Sequence, residues 1–303
     1  MSDKLRAYLI LHFCVFIWGF TAVLGGLISL KTVPLVWWRV AIASTALWFL
    51  MPKAQLRGLS RQTAVRLFGI GLLVGVHWLC FYGAIKLANA SVAVVTMSTT
   101  SFFAAFTEPL ILRTRFRWYE LALGILVLPG MALVVESIDY QMRTGFAVGI
   151  LSGFLAAVFS VFNKKIMESD APPALAMSFI EMSAIVVLTS AAMPFVLHFF
   201  PDENFWPQGS SDWVWLMVLA LVCTVLPFFL SLKAMRHVSA YAVNLTLNLE
   251  PVYGVALAGL ILHEHKDLEP KFYWGVFIIL AAVFSHPFLK RRFEPTSGAR
   301  AEP

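Results

Sequence analysis

Apolar residues occur in ten long runs along this chain, and only short polar stretches separate the runs. A run of about twenty apolar residues spans the hydrocarbon core of a bilayer as an α-helix. The runs predict helices at 8–29, 33–52, 67–87, 90–112, 118–136, 145–166, 173–198, 212–232, 238–262 and 270–289. Backbone groups in lipid must pair within their own segment, and the alternating pattern of a barrel is absent. We therefore expect an all-α integral membrane protein with ten transmembrane helices.

Composition agrees with this fold class and leaves no separate soluble domain. Hydrophobic residues make up 59% of the chain and charged residues 13%. The first run follows Lys4 and Arg6, as a signal peptide would, but it is long and lacks an evident cleavage site, so we expect a retained helix. The three cysteines are too few and too scattered for a disulfide framework or a metal cluster.

The basic residues predict the orientation of the chain. With the N-terminus placed inside, seventeen of the 23 Lys and Arg residues fall in inner segments and five in outer segments. Because Lys and Arg near helix ends resist transfer across the membrane, both termini are predicted to face the cytoplasm of a bacterial cell, with the protein in its inner membrane. Basic inner loops that face anionic lipid also explain the net charge of +6 without a nucleic-acid partner.

An internal repeat divides the chain into two halves. Phe81-Tyr82 followed by Lys86 is echoed by Phe228-Phe229 followed by Lys233. A half of five helices is odd in number, so the second copy must cross the membrane in the opposite sense, and the distribution of charge agrees. The alternative is coincidence among apolar segments drawn from a small alphabet. We interpret the pattern as an inverted repeat, the architecture that lets one pocket face alternate sides.

The repeat sets three predicted regions. Residues 1–140 form the first five-helix repeat, residues 141–290 form the second and inverted repeat, and residues 291–303 form a polar cytoplasmic tail.

Several short motifs resemble those of one transporter family. They are Trp18-Gly19-Phe20, Pro34 with Trp38-Arg39, His77-Trp78 with Phe81-Tyr82, and Leu249-Glu250-Pro251 with His263-Glu264. On these residues the chain resembles an EamA-type member of the drug/metabolite transporter superfamily over roughly residues 5–290. One departure is the missing proline in the middle of the fourth helix, where the repeat offset places the counterpart of Pro251 at 100–104.

The resemblance implies a secondary transporter of small organic metabolites, which we expect to export amino acids or related compounds. The alternatives are exchange of nucleotide sugars or other polar metabolites and, in a different class, an intramembrane enzyme. No phosphate-binding glycine loop is present, and His263-Glu264-His265 lacks the spacing of a zinc site, so we expect no cofactor, no metal and no enzymatic activity. The expected partners are a small-molecule substrate and membrane lipid, with protons as candidate coupling ions.

Ionisable residues inside predicted helices are candidate substrate-binding residues, because charges in lipid are costly and usually face a cavity. Arg39 offers bidentate hydrogen bonds to a substrate carboxylate, or else pairs within the protein. Glu181 and Glu250 offer a site for an ammonium group or a proton. For Glu181, a structural hydrogen bond between helices is the alternative interpretation.

Aromatic and amide side chains complete the predicted site. Trp18, Trp78 and Tyr82 lie within helix bodies and carry polar groups, as does His77, which is also a candidate proton carrier. Core packing is the alternative for each of them. Four further polar residues lie in helices 6 and 9, namely Asn163, Tyr241, Asn244 and Asn248. They either bind substrate or join helices.

Small residues at four-residue spacing predict a close helix contact. Gly145, Gly149 and Gly153 lie on one face of the sixth helix, which permits close approach of a partner backbone.

Overall fold

A computed structural model describes residues 2–200, 204–238, 243, 246–247, 249–266 and 268–293, with the side chains at 283, 286, 287, 290 and 291 left out. The described segments are helical or short connections. The main helices are α1 (Asp3–Leu27), α2 (Thr32–Leu50), α3 (Arg61–Leu87), α4 (Ala90–Leu112), α5 (Trp118–Glu136), α6 (Arg143–Ser169), α7 (Ala174–Phe199), α8 (Gly209–Ala234), α9 (Glu250–Leu262) and α10 (Pro270–Phe293). The predicted tail beyond residue 293 lies outside the described residues.

Within the described part of the chain, eight helices, α1 to α8, are long and apolar enough to cross a membrane. The segment α9 is apolar but shorter, and α10 begins with another apolar stretch. A five-residue helix, Lys53–Arg57, connects α2 to α3. The prediction of an all-helical membrane protein is confirmed.

Capping residues explain where two helices begin. Ser60 Oγ accepts a hydrogen bond from the backbone N–H of Thr63 at 3.0 Å, and Asn89 Oδ1 accepts one from Val92 at 2.8 Å. Such caps satisfy backbone donors that the first helical turn leaves free. The Ser60 cap starts α3 at Arg61, six residues before the predicted start at 67, because the polar first turn continues the helix beyond its apolar body.

Small residues bring α6 against α4, as the glycine spacing predicts. A Cβ atom added at Gly149 or Gly153 would collide with the side chains of Thr96 and Thr99. The two helices therefore pack backbone to backbone at this point, and the predicted close contact is confirmed.

The helices divide into an inner group and an outer pair. Helix α5 packs chiefly against α10, and these two helices surround a separate apolar cluster that includes Val127, Phe272 and Ile279. The main apolar core lies among α1 to α4 and α6 to α9. This division leaves the centre of the inner group for a cavity.

Two helices contain irregular segments near this centre. Helix α4 is interrupted at Met97 and Ser98, and α8 widens into a π-helical segment at Val218–Val225 just before Pro227. A π segment inserts extra residues into the helical ladder and is frequent at functional sites. It changes the direction of the side chains within it and after it, including that of Thr224.

The bundle has two ends, which we name by their composition. The basic face is the end at which α1, α3, α5 and α7 begin and α2, α4, α6 and α8 end. The opposite face is the other end of the same helices.

Candidate functional site

A cavity lies at the centre of the inner helix group. It has about 90 Å³ of space for the centres of water molecules, which is room for roughly half a dozen waters or a small solute. Its walls come from seven helices and the segment that leads into α9. The lining residues are Trp18, Thr21, Arg39, His77, Trp78, Phe81, Met97, Ala156, Phe159, Ser160, Asn163, Phe228, Ser231, Leu232, Met235, Val243, Leu247 and Glu250.

Arg39 is the principal charged group in the cavity wall. It is 3% exposed, and its guanidinium carbon lies 3.8 Å from the centre of the Trp78 ring, a cation–π contact. Its Nε donates to Thr224 Oγ1 at 2.6 Å, and one terminal nitrogen donates to Tyr82 Oη at 2.8 Å. These contacts fix the plane of the guanidinium. Three of its five N–H groups have no partner among the described residues.

The π segment of α8 helps to hold Arg39. Thr224 accepts from Arg39 and donates its own hydrogen to the carbonyl of Leu219, five residues earlier, at 2.6 Å. This five-residue reach is the spacing of a π-helix. The π segment therefore orients the Thr224 hydroxyl, and this hydroxyl in turn orients the Arg39 guanidinium.

Glu250 contributes the negative charge of the same cavity. It is 5% exposed, and it attracts Arg39 electrostatically, but no ion pair joins the two side chains within the described structure. Both side chains line the cavity. A basic and an acidic side chain thus share one aromatic-walled space without an ion pair between them in the described structure.

His77 is anchored to the neighbouring helix α6. Its Nδ1 lies 3.0 Å from the carbonyl oxygen of Ser152, and the Ser152 hydroxyl donates to the carbonyl of His77 at 3.1 Å. Nδ1 also lies 2.8 Å from the Ser152 hydroxyl, and because a carbonyl can only accept, the contact with the Ser152 carbonyl favours a hydrogen on Nδ1. The ring also packs on Phe159, with centroids 5.2 Å apart.

The structure brings six of the predicted site residues to the cavity wall: Trp18, Arg39, His77, Trp78, Asn163 and Glu250. Tyr82 and Glu181 are fully buried behind that wall, where Tyr82 supports Arg39 and Glu181 accepts a hydrogen bond from Asn163. Tyr241, Asn244 and Asn248 lie outside the described residues. A role in substrate binding stays a prediction for all of them.

The cavity reaches toward the basic face. Met235, at the end of α8, lines the cavity, and its carbonyl accepts from Lys164 Nζ at 2.8 Å. Lys164 also lines a wider vestibule of about 350 Å³ at the basic face, together with Glu108 and Arg236. The Lys164–Met235 contact therefore lies between the two spaces.

The opposite face is closed by carboxylates that accept from backbone N–H groups. Asp212, which is 2% exposed, accepts from the backbone N–H groups of Ser29 and Gln208 at 2.9 Å each and from the Ser29 hydroxyl. Glu264 accepts from the N–H groups of Ala90 and Ser91 at the start of α4, again at 2.9 Å. These bonds join segments far apart in sequence.

Sequence reasoning missed several residues that build the site. Thr224 and Ser231 are polar residues seven apart on the apolar helix α8, a spacing that places both on one face and was a usable signal. In the sequence, Phe228 stood out only as part of the internal repeat. Phe159 and Met97 resemble ordinary core residues, and no sequence pattern marks them as cavity walls.

Comparison with known proteins agrees with this architecture. The family model described as the EamA-like transporter family matches residues 5–136 and 143–295. The chain belongs to the EamA-like transporter family. It is therefore a multi-pass membrane transporter, and the predicted transporter class is confirmed over the intramembrane enzyme.

Individual relatives of this EamA-like chain are distant. The pseudopaline exporter CntI of Pseudomonas aeruginosa is 24% identical over 256 residues, which cover 84% of this chain and 86% of that protein. A probable amino-acid metabolite efflux pump of Salmonella typhimurium is 25% identical over 230 residues, covering 73% of this chain and 76% of that one. One solved crystal structure matches with a TM-score of 0.67 at 16% identity, over 95% of this chain and 99% of the other. At that identity it supports the fold alone.

Proposed function

We propose that this EamA-like transporter exports amino acids or closely related zwitterionic metabolites across the cell membrane by alternating access. One observation carries the proposal. Arg39 and Glu250 line one cavity, attract each other without forming an ion pair within the described structure, and stand among aromatic side chains. A substrate that carries a carboxylate and an ammonium group complements both charges.

Arg39 is the proposed carboxylate ligand. Its guanidinium is fixed by Trp78, Tyr82 and Thr224, and three N–H groups have no partner among the described residues. A preorganised fork loses little entropy when it binds a planar carboxylate. Glu250 is the proposed ligand of the substrate ammonium group.

Ten transmembrane helices in two inverted halves are the proposed framework for transport. The halves comprise residues 1–140 and 141–290, and the two separate matches of the family model support this division. We place the basic face and both termini in the cytoplasm, on the strength of the Lys and Arg distribution. The structure then corresponds to a state in which both ends are closed and the cavity reaches toward the cytoplasm. The relatives, an exporter and an efflux pump, support export as the direction.

Exchange of nucleotide sugars is less well supported. A cavity of about 90 Å³ for water centres is small for a nucleotide sugar, which carries a base, two rings and two phosphates. A proton is the proposed coupling ion, with Glu181, Glu250 and His77 as candidate carriers.

Counterflow in proteoliposomes tests the proposal. Vesicles with purified protein would be loaded with unlabelled L-amino acids and offered labelled amino acids, nucleotide sugars and quaternary amines in separate assays. We expect exchange of amino acids, and we expect Arg39→Gln to weaken apparent affinity by about 10- to 100-fold, the value of a charged hydrogen-bond pair. The exposed Arg61→Gln is the control.

Substrate analogues test the two charges separately. A 2-oxo acid keeps the carboxylate and lacks the ammonium group. The wild type should prefer the amino acid over its 2-oxo acid, and Glu250→Gln should lose that preference while Arg39→Gln weakens both compounds. Exchange restricted to nucleotide sugars would overturn the proposal.

A further inference from the structure

A second buried carboxylate lies outside the substrate cavity. Glu181, on α7, is fully buried, and its Oε2 accepts a hydrogen bond from Asn163 Nδ2 at 3.3 Å. Its other oxygen, Oε1, has no partner among the described residues. Glu250, in contrast, lines the substrate cavity together with Arg39. No cation of the described chain accompanies Glu181 in this way.

Two more buried oxygen atoms near Glu181 lack partners. They are Asn163 Oδ1 and Ser178 Oγ, which belong to residues no more than 1% exposed. Ser178 precedes Glu181 by one helical turn and lies on the same face of α7. Buried polar groups in folded proteins are almost always paired, so three unpaired oxygens in one place indicate a ligand beyond the side chains themselves.

We propose that Glu181 and Asn163 form the proton-binding site that couples transport, separate from the charge pair that binds substrate. This inference rests on the proposed transport function. An isolated carboxylate in a dry interior is very costly, whereas the acid form carries a hydrogen that it can donate to an acceptor such as Asn163 Oδ1. Asn163 lines the substrate cavity and also bonds to Glu181, so it connects the two sites.

The backbone around the cluster favours a proton over a sodium ion. Transporter sodium sites draw ligands from unwound backbone carbonyls. Helices α6 and α7 are continuous through Asn163, Ser178 and Glu181, so their carbonyls are engaged in the helical ladder. The three side-chain oxygens alone are fewer than the ligands that a hard cation prefers.

Charged and titratable groups on the helices packed against α7 interact elsewhere in the described structure. On α2, Arg39 bonds to Tyr82 and Thr224. On α3, His77 contacts Ser152, Arg66 faces Asp170 and Lys86 donates to the carbonyl of Ile28.

The charged and titratable groups of α6 and α8 also interact away from Glu181. On α6, Lys164 bonds to Met235 and Glu168, and Lys165 reaches the carbonyl of Ile111. On α8, Cys223 is buried near Arg39, and Lys233 is exposed. The protonation of Glu181 is therefore set by its burial and by its hydrogen bond with Asn163.

Close packing gives protonation a conformational effect. A Cβ atom added at Gly71 of α3 would lie 2.6 Å from the carbonyl oxygen of Glu181, so the two backbones touch and exclude water. A charged Glu181 requires hydration, which this packing denies. The protonated state therefore stabilises the present arrangement, and release of the proton favours one in which α3 and α7 admit water.

Infrared difference spectroscopy tests the proton site without any substrate. Purified wild-type protein in lipid would be stepped between acidic and alkaline pH while the carboxyl C=O stretch is recorded. We expect a titrating band that Glu181→Gln removes and that the exposed control Glu136→Gln retains. A spectrum unchanged by Glu181→Gln overturns the proposal.

Transport of labelled L-amino acids gives the second test. Glu181→Gln, which resembles the protonated side chain, should lose the extra accumulation that a pH gradient drives in the wild type, measured relative to the counterflow of each variant at equal pH. Glu181→Asp keeps a carboxyl group, so it should retain a response to the pH gradient with a shifted pH profile. This variant is the control for a loss of response in Glu181→Gln that comes from misfolding alone.

The possible results separate the two proposals. If Glu181→Gln follows the pH gradient as the wild type does, or a sodium gradient replaces the pH gradient, the proton site is wrong although amino-acid transport stands. If the wild type exchanges no amino acid, the proposed function is wrong, and the infrared experiment still decides whether Glu181 binds the proton.

Discussion

The two ends of the helix bundle are closed by different chemistry. At the opposite face, the carboxylates of Asp212 and Glu264 each accept hydrogen bonds from two backbone N–H groups. At the basic face, Lys164 and Arg236 reach backbone carbonyls at 2.8 Å and 2.7 Å.

These contacts differ in strength for a physical reason. A short buried carboxylate that accepts several bonds loses little side-chain entropy, and its removal leaves buried donors unpaired. A long basic side chain loses more rotamer freedom when it is held in place, and of the two residues Lys164 is buried and Arg236 is exposed. The opposite face is therefore firmly closed and the basic face loosely closed, so opening of the firm face should limit transport.

The largest effect is expected at Asp212. In Asp212→Asn an amide N–H₂ would face backbone donors, so one buried N–H loses its acceptor at a cost of about 1–3 kcal/mol. The variant should unfold at lower temperature. It should also expose the cavity from the opposite face, measured as faster maleimide labelling of Ala156→Cys in a chain whose three native cysteines are replaced by alanine.

A matched control lies on the same face. Asp139 is exposed between α5 and α6, and Asp139→Asn should change neither the unfolding temperature nor the labelling rate. Equal labelling rates for Asp212→Asn and Asp139→Asn would contradict the assignment of Asp212 to the closure.

Glu264 should have the second-largest effect. It caps the N-terminus of α4, where two free N–H groups and the helix dipole favour a negative charge. Glu264→Gln keeps one acceptor and should cost about 1 kcal/mol, with a smaller rise in Ala156→Cys labelling than Asp212→Asn produces. Glu269→Gln, an exposed change in the same connection, is the control, and a Glu264 variant indistinguishable from it would remove this residue from the closure.

Much of the fold follows from the sequence, because the bilayer restricts the choice of structure. Apolar runs of sufficient length must become helices there, and the eight long helices of the described residues agree with the predicted ones apart from their ends. The ends differ where a polar turn continues a helix, as at Ser60. Arg39 and Glu250 were also predictable, because the cost of charge in lipid makes such residues conspicuous.

Other parts of the site depend on tertiary structure that no local pattern encodes. Thr224 supports Arg39 only because a π segment rotates it into position. Asp212 looks like an ordinary polar residue at a helix start, and its importance comes from Ser29, 183 residues away in the chain. Sequence reasoning grouped Glu181 with the candidate substrate ligands, and its position behind the cavity wall could not be read from spacing.

The basic face should respond more weakly. Lys164→Gln removes the lysine contact with Met235 between cavity and vestibule. The glutamine amide keeps a donor and frees a long side chain, so we expect a change in stability of only about 1 kcal/mol. Labelling of a cavity cysteine at Ala156 from the basic face should nevertheless accelerate by up to about fivefold, the kinetic equivalent of that energy.

The adjacent lysine provides the control for this variant. Lys165 is exposed and donates to the carbonyl of Ile111 at 3.2 Å, away from the cavity. Lys165→Gln should leave labelling unchanged. If Lys164→Gln accelerates labelling as much as Asp212→Asn does from the other side, the two ends are equally firm and the comparison between them is wrong.

The smallest effect is expected where α3 meets the end of α6 at the basic face. The Thr63 hydroxyl donates to Asp170 Oδ2 at 2.6 Å and lowers the pKa of that carboxyl from its ordinary value of 3.8. A lowered pKa contributes stability above the unfolded value, and this contribution disappears as pH falls through the folded value.

Removal of the hydroxyl should therefore change stability in a pH-dependent way. Thr63→Val should be slightly less stable than the wild type above pH 3.8, and the difference should shrink as acid protonates Asp170. Thermal unfolding in detergent across this range measures it. Thr45→Val, which removes a hydroxyl bonded to the carbonyl of Ala41, should give a difference that does not vary with pH. If the stability difference between Thr63→Val and the wild type is likewise independent of pH, the charge of Asp170 does not help to hold α3 to α6. The basic face is then looser than its hydrogen bonds imply.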